Sequence, residues 1–205
     1  VTKKSLSVPY SRYDQIQSNL RKKRREILIF LEHTPTITGG INYNKNNLLV
    51  SENFLEVNKI DLCYLKRGGD FTAHESGQLV IYPHIDLKKR DLSITDFLNI
   101  FMDSIRNSIK NTWEIEVVYK DSDPGLYLKN DPVKKIVSIG VYFKSYFTSF
   151  GAAFNIGNDL KTFSYINPCG QKGENIVSIE SLGLDTGRES GFVEIFSKEF
   201  KKRLA

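Results

Sequence analysis

The chain has 205 residues, 40% of them hydrophobic with 13 Phe and 10 Tyr, which is enough for a real core in one ordinary domain and excludes wholesale disorder. Lys and Arg number 29 against 24 Asp and Glu, a net of +5 that suits an acidic partner without choosing among nucleic acid, an anionic membrane surface and protein. The two cysteines, Cys63 and Cys169, exclude a disulfide framework and any CxxC zinc or redox pair.

No apolar run approaches the roughly 18 residues of a membrane-spanning helix. Lys3-Lys4 is followed by polar sequence and not by an apolar signal segment, so the reducing cytoplasm is the expected compartment. With no repeat, low-complexity tract or linker, one domain over 1–205 is expected. In chain order, Tyr13, Ile16 and Leu20 share one helical face, so 11–25 reads as an amphipathic helix ending in the basic run at 21–25. Residues 27–31 read as a strand. Pro35, Gly39 and Gly40 mark a turn. Residues 60–65 read as a strand running into Arg67-Gly68-Gly69, and 79–82 as a strand closed by Pro83. Ser93 or Thr95 caps a helix whose face is Phe97, Phe101, Ile105 and Ile109, through about residue 110. Strands follow at 116–119, 135–143 and 148–156, the last two joined as a hairpin near Lys144-Ser145. Val193, Phe196 and Phe200 place a final helix on the core, and Lys198, Lys201, Lys202 and Arg203 decorate its end. Both basic clusters read as solvated helix termini, favoured by the helix dipole. The pattern is α+β, a mixed-sheet α/β domain.

Three segments carry chemistry. Residues 66–78 follow directly on a strand with three glycines, Arg67 and His74. Paired glycines admit a ligand close to the backbone, Arg offers a planar donor fork, and His an acid, base or orienting group. The segment is neither GxGxxG nor a P-loop. Cys169 stands between Pro168 and Gly170 in a tight turn that can hold a thiol in a fixed, accessible place. Lys134 and Lys135 open an apolar strand and point to opposite faces, so one can face a cleft, where its ammonium would favour a thiolate. Cys63, between Leu62 and Tyr64 in a strand, reads as a small buried hydrophobe, and His84, after Pro83, as a surface residue. Neither HExxH nor GxSxG occurs, which argues against a metal site and a serine-hydrolase elbow.

In this order the segments resemble a known family. Residues 32–40 (EHTPTITGG) are similar to its EHxPxxTxG element, and 67–83 (RGGDFTAHESGQLVIYP) to its RGGxxTxHxPGQLVxYP signature. Residues 135–140 (KIVSIG), 151–156 (GAAFNI) and 168–170 (PCG) are similar to its KIAxIG strand, HGxALNV strand and PCG loop. The family is the lipoyl(octanoyl) transferases, and the resemblance runs from about residue 8 to 183. It implies the fold of the biotin/lipoate ligase-transferase superfamily. It also implies Cys169 as the acyl-thioester nucleophile and Lys135 as its activating partner. The acyl pocket would be lined by Arg67, Gly68, Gly69, Asp70, Phe71, Thr72, Ala73, His74, Ser138, Ile139, Gly140, Gly151, Ala152 and Ala153. His33, Gly77, Gln78 and Tyr82 would support the centre.

The implied donor is octanoyl-acyl carrier protein. The implied acceptors are lipoyl domains of 2-oxoacid dehydrogenase complexes and the glycine cleavage H protein. The enzyme is expected to work as a monomer without metal or cofactor, nucleic acid or membrane. A thiol relay of this kind predicts ping-pong kinetics. The chain departs from the pattern at Ile41, where the family has Arg or Lys, at Phe150, where it has His, and at Ser76, where it has Pro. Two other readings share the fold: an ATP-dependent lipoate or biotin ligase, which needs no Cys, and a non-catalytic homologue that binds carrier domains. Nucleic-acid binding is disfavoured because no aromatic stacking surface accompanies the basic run.

Overall fold

The structure is a computed structural model and describes residues 7–120, 123–131, 133–168 and 175–205. A short strand β1 (Ser7–Val8) leads into helix α1 (Tyr10–Lys22). Strands β2 (Ile27–His33) and β3 (Thr36–Gly39), helix α2 (Glu52–Val57) and strands β4 (Asp61–Tyr64), β5 (Phe71–His74) and β6 (Gln78–His84) follow. Helix α3 (Ile94–Trp113) precedes β7 (Val117–Tyr119), β8 (Gly125–Leu128), β9 (Lys135–Lys144) and β10 (Phe147–Asn155), and helix α4 (Glu189–Leu204) closes the fold. Seven strands form one sheet in the order β1-β2-β6-β10-β9-β8-β7, antiparallel except for β1 beside β2. A separate three-stranded sheet, β4-β3-β5, is mixed. The architecture is α+β, as the pattern of elements predicts.

The two long helices lie together on one face of the large sheet. Ser93 caps α3 through a capping box, its hydroxyl accepting from Asp96 N while the Asp96 carboxylate accepts from Ser93 N. The α3 face of Phe97, Phe101, Ile105 and Ile109 is fully buried. Phe101 packs edge-on against Phe196 and Phe200 of α4. Phe196 in turn meets Phe30 of β2, and Trp113 meets Phe154 of β10. On the opposite face, Tyr13 of α1 stacks on Tyr82 of β6 with ring centroids 4.0 Å apart. β6 therefore serves both cores by its period of two: Leu79 and Ile81 face α3 and α4, while Val80 and Tyr82 face α1. The small sheet has its own core, in which Ile37 and Ala73 sit with Leu55, Phe163 and Ile166.

The β9–β10 hairpin forms as expected. Its two turn residues, Ser145 (φ 50°) and Tyr146 (φ 60°), both adopt the left-handed conformation of a tight primed turn. Four expectations are corrected. The residues from Thr36 to Gly39 are a strand and not a turn, because β3 is the central strand of the small sheet, paired with both β4 and β5. Pro83 does not end its strand: β6 continues to His84, with Pro83 opposite Leu28 and its carbonyl accepting from the Thr148 hydroxyl. Ile16 is exposed, since the buried face of α1 is Tyr10, Tyr13 and Gln17. His84 is not on the surface but fully buried, its Nε2 2.9 Å from the Tyr13 hydroxyl. Cys63 is half-buried beside the α1 core, and burial raises its thiol pKa.

The basic run at 21–25 is partly engaged. Arg24 forms an ion pair with Asp86, and Arg21 reaches the Ser149 hydroxyl. Among the described residues no helix is long and apolar enough to cross a membrane.

Candidate active site

Facing small residues hollow the large sheet on its α1 side. In the β9–β10 pair Gly140 lies opposite Gly151 and Ser138 opposite Ala153, while Ile139 and Ala152 between them pack with the α3 and α4 core. The result is a narrow cleft between the large sheet and the small one. One wall is Val80 and Tyr82 of β6, Ser138, Ile139 and Gly140 of β9, and Phe150, Gly151, Ala152 and Ala153 of β10. The other is Arg67, Gly68, Gly69, Asp70, Phe71, Thr72 and His74. Tyr10, Asp123, Pro124, Lys135 and Pro168 complete it.

Nearly all the residues singled out in the sequence are brought together here. Ala73 is the exception among the pocket residues, since it belongs to the small-sheet core and not to the cleft wall. Gly77 and Gln78 stand behind the wall: Gly77 N donates to Glu32 Oε2 at 3.0 Å, and Gln78 holds His74. Cys169 lies outside the described residues. The chain reaches it from Pro168 on the cleft wall. Beyond it, Ile176 bridges to Lys135, and Val177 N donates to the Lys135 carbonyl at 2.9 Å.

The Arg67 guanidinium, expected to offer a donor fork to a ligand, is instead turned into the protein. Nε donates to Thr38 Oγ1 at 3.1 Å, and Nη2 donates to the carbonyls of Thr38 at 2.5 Å and Asp70 at 2.7 Å. It fastens the glycine loop to β3. Gly69 within that loop has φ 85°, a left-handed conformation that Gly adopts at little cost. Asp70 also works inward, accepting from Asn44 N and Phe71 N.

The floor of the cleft is an aromatic and imidazole cluster. His33 and His74 have ring centroids 5.3 Å apart, and both lie against Tyr10. Gln78 Nε2 donates to Ala73 O and Asn155 Oδ1, which fixes its amide orientation and leaves Oε1 to accept from His74 Nδ1 at 2.9 Å. His74 therefore carries its proton on Nδ1. Its Nε2 is a buried acceptor with no partner among the described residues. Burial pushes the His74 pKa well below its ordinary value, so the ring is neutral at pH 7. Burial likewise pushes the Tyr10 hydroxyl up to about 12.

Among the described residues, Lys135 is the one buried ammonium in the cleft wall. Its Nζ lies 2.5 Å from Asp123 Oδ1, and the other carboxylate oxygen accepts from the Tyr127 hydroxyl. Lys134, just before the strand, is only half-buried. Asp123, Tyr127 and Tyr10 were not singled out in the sequence. The Pro124-Gly125 turn dipeptide marked their neighbourhood, but nothing local showed that Asp123 would meet Lys135, 12 residues on. Among the described residues no His, Cys, Asp and Glu cluster could hold a metal ion.

Residues 10–201 match the lipoyl protein ligase A/B catalytic domain family. An octanoyltransferase of Leptospira interrogans is 56% identical over 180 residues, covering 88% of this chain and 83% of that protein. An octanoyltransferase of Caldicellulosiruptor bescii is 37% identical over 191 residues, covering 90% and 82%. Among solved structures, a lipoate-protein ligase A bound with ATP superposes with a TM-score of 0.72 at 16% identity, covering 97% of this chain and 83% of that one. A bipartite lipoate protein ligase of Thermoplasma acidophilum gives 0.72 at 15%, covering 95% and 81%. At these identities the two structures establish the fold.

Proposed function

The chain belongs to the lipoyl protein ligase A/B catalytic domain family and is an octanoyltransferase, an acyltransferase of protein lipoylation, and from that premise we propose a two-step thioester relay through Cys169. In the first step the Cys169 thiolate attacks the carbonyl carbon of octanoyl-acyl carrier protein. A new S–C bond forms, the donor's C–S bond breaks, and the carrier thiol leaves with a proton. In the second, the neutral ε-amine of a lysine on a lipoyl domain attacks the acyl-enzyme. An N–C bond forms, the Cys169 S–C bond breaks, and the amine's surplus proton is taken up so that the thiol is restored. Lys135 assists both steps: its ammonium favours the thiolate, and it passes the proton that each step moves.

The observation that carries this reading is the placement of Lys135. It is the buried ammonium of an apolar cleft, and its own backbone is bonded to residues 176 and 177, just beyond the segment that holds Cys169. In this reading the octanoyl tail lies along Gly140, Gly151 and Ala153, where burial contributes roughly 0.8 kcal/mol per CH₂. The remaining elements of the reading are the acceptors (lipoyl domains of 2-oxoacid dehydrogenase complexes and the glycine cleavage H protein), a single-domain monomer, and the reducing cytosol, where a free catalytic thiol persists.

The test is intact mass after mixing with octanoyl-acyl carrier protein. The reading expects an added octanoyl group on the wild type and none on Cys169→Ser. Transfer undiminished in Cys169→Ser, or transfer only of free octanoate with ATP, would overturn it.

A further inference from the structure

Asp123 stands on the loop before β8, and the β8–β9 pairing carries it to Lys135. Both side chains are buried, 7% and 5% exposed, at 2.5 Å. The carboxylate is itself fixed, because its second oxygen accepts from Tyr127, whose ring lies 5.3 Å from the Lys135 ammonium. The aliphatic stem of Lys135 passes over Gly125, where a Cβ would meet Lys135 Cε at 2.7 Å and Val137 O at 2.5 Å. The ammonium thus has one seat, defined by Asp123, Tyr127 and Gly125. A buried ion pair is a poor source of net stability, since desolvation offsets the attraction and an apolar pair of similar volume does as well. An ammonium has three N–H groups, and among the described residues a single carboxylate oxygen occupies one of them. The others remain for chemistry at the cleft.

We propose that Asp123 is a positioning residue for turnover, holding the Lys135 ammonium where the thioester chemistry needs it. The inference rests on the role given to Lys135 above. It deepens that role by naming the group that sets the ammonium's place.

The experiment measures kcat and KM for octanoyl transfer from octanoyl-acyl carrier protein to a lipoyl domain, together with thermal unfolding, for four proteins: wild type, Lys135→Ala, Asp123→Asn and Asp123→Glu. Asp123→Asn is expected to lower kcat about ten- to a hundred-fold, the usual effect of removing a group that orients a reacting one, with KM unchanged. Asp123→Glu keeps the charge pair but shifts the ammonium by one methylene, and it is expected to lower kcat by a smaller factor, again at constant KM. A merely structural carboxylate would lower the melting temperature and leave the kcat of the folded protein alone. Wild-type kcat in both Asp123 variants with an inactive Lys135→Ala would overturn the Asp123 proposal only. An active Lys135→Ala would overturn the role of Lys135 and this proposal with it. If Asp123→Asn fails to fold, Asp123→Glu decides: undiminished kcat overturns the proposal, reduced kcat at constant KM supports it.

Discussion

Tyr82 donates its hydroxyl proton to Nε2 of His33 at 2.8 Å, with both side chains shut away from solvent beneath the cleft. The other ring nitrogen, Nδ1, meets the Val8 carbonyl at 2.7 Å, so the neutral imidazole uses both its atoms. Burial pushes His33 down to about 4, pushes His84 to about 4, and holds His74 well below its ordinary value. In the unfolded chain the same rings take up protons near pH 6.5. Stability is therefore complete above about pH 6.5 and is lost as pH falls toward 4, by roughly 1.4 kcal/mol per pH unit for each ring. Urea unfolding at pH 7.5, 5.5 and 4.5 checks this, and a flat profile would refute it.

Tyr82→Phe keeps the ring stacked on Tyr13 but leaves His33 Nε2 buried without its donor. The expected loss is about 1–3 kcal/mol, the cost of an unsatisfied buried polar atom, read from chemical denaturation at pH 7.5.

Phe150 lines the cleft in a left-handed backbone conformation, φ 59°, uncommon for a bulky residue within a strand. Phe150→Gly relieves about 1–2 kcal/mol of that strain and forfeits about 3–5 kcal/mol of aromatic packing. The net is a loss of about 1–4 kcal/mol. It also lengthens the apolar trough. The ratio of kcat/KM for dodecanoyl over octanoyl donors is expected to rise, and an unchanged ratio would show that Phe150 does not bound the acyl chain.

Gly125→Ala drives a methyl group into Lys135 Cε and the Val137 carbonyl. The contact with the carbonyl is relieved only by a shift of the β8–β9 pairing, and the contact with Cε by movement of the lysine stem, so both displace Lys135. Octanoyl transfer is expected to fall at least tenfold with the far-UV circular dichroism spectrum retained. Wild-type activity in this variant would show that the placement of Lys135 over Gly125 does not matter to transfer.

Phe101→Ala is the control from the other side of the sheet. Its ring is fully buried among Phe97, Phe196 and Phe200. The expected loss is about 3–5 kcal/mol of stability, with kcat unchanged at a temperature where the protein stays folded.

The parts of the fold that the sequence made plain have strong periodicity. The α3 face from Phe97 to Ile109 and the β9–β10 hairpin follow directly from residue spacing. Segments that depend on distant partners were opaque. The residues of β3 read as a turn because Thr36-Ile37-Thr38-Gly39 is short and glycine-ended, and only its two neighbours in the small sheet make it a strand. β8 begins at Gly125, directly after Pro124, a dipeptide that locally signals a bend. His84 looked exposed because it follows a proline, whereas the Tyr13 hydroxyl from α1 gives its ring a buried partner. In the site, glycines, Lys135 and the imidazoles were legible as residue types in an ordered series. The inward turn of Arg67 and the seat of Lys135 on Asp123 were not, because each is set by contacts between elements remote in sequence.

The walls of the cleft come from two different sheets, one contributing Gly140, Gly151 and Ala153, the other Phe71, Thr72 and His74. On the proposed reading, an acyl chain seated between them would supply the strip of hydrocarbon that each sheet lacks on that side. The reaction's cargo would then be a temporary piece of the protein's interior. The octanoylated enzyme should melt at a higher temperature than the free one and exchange its β5 and β9 amides more slowly, and both gains should vanish when the acyl group passes to its acceptor.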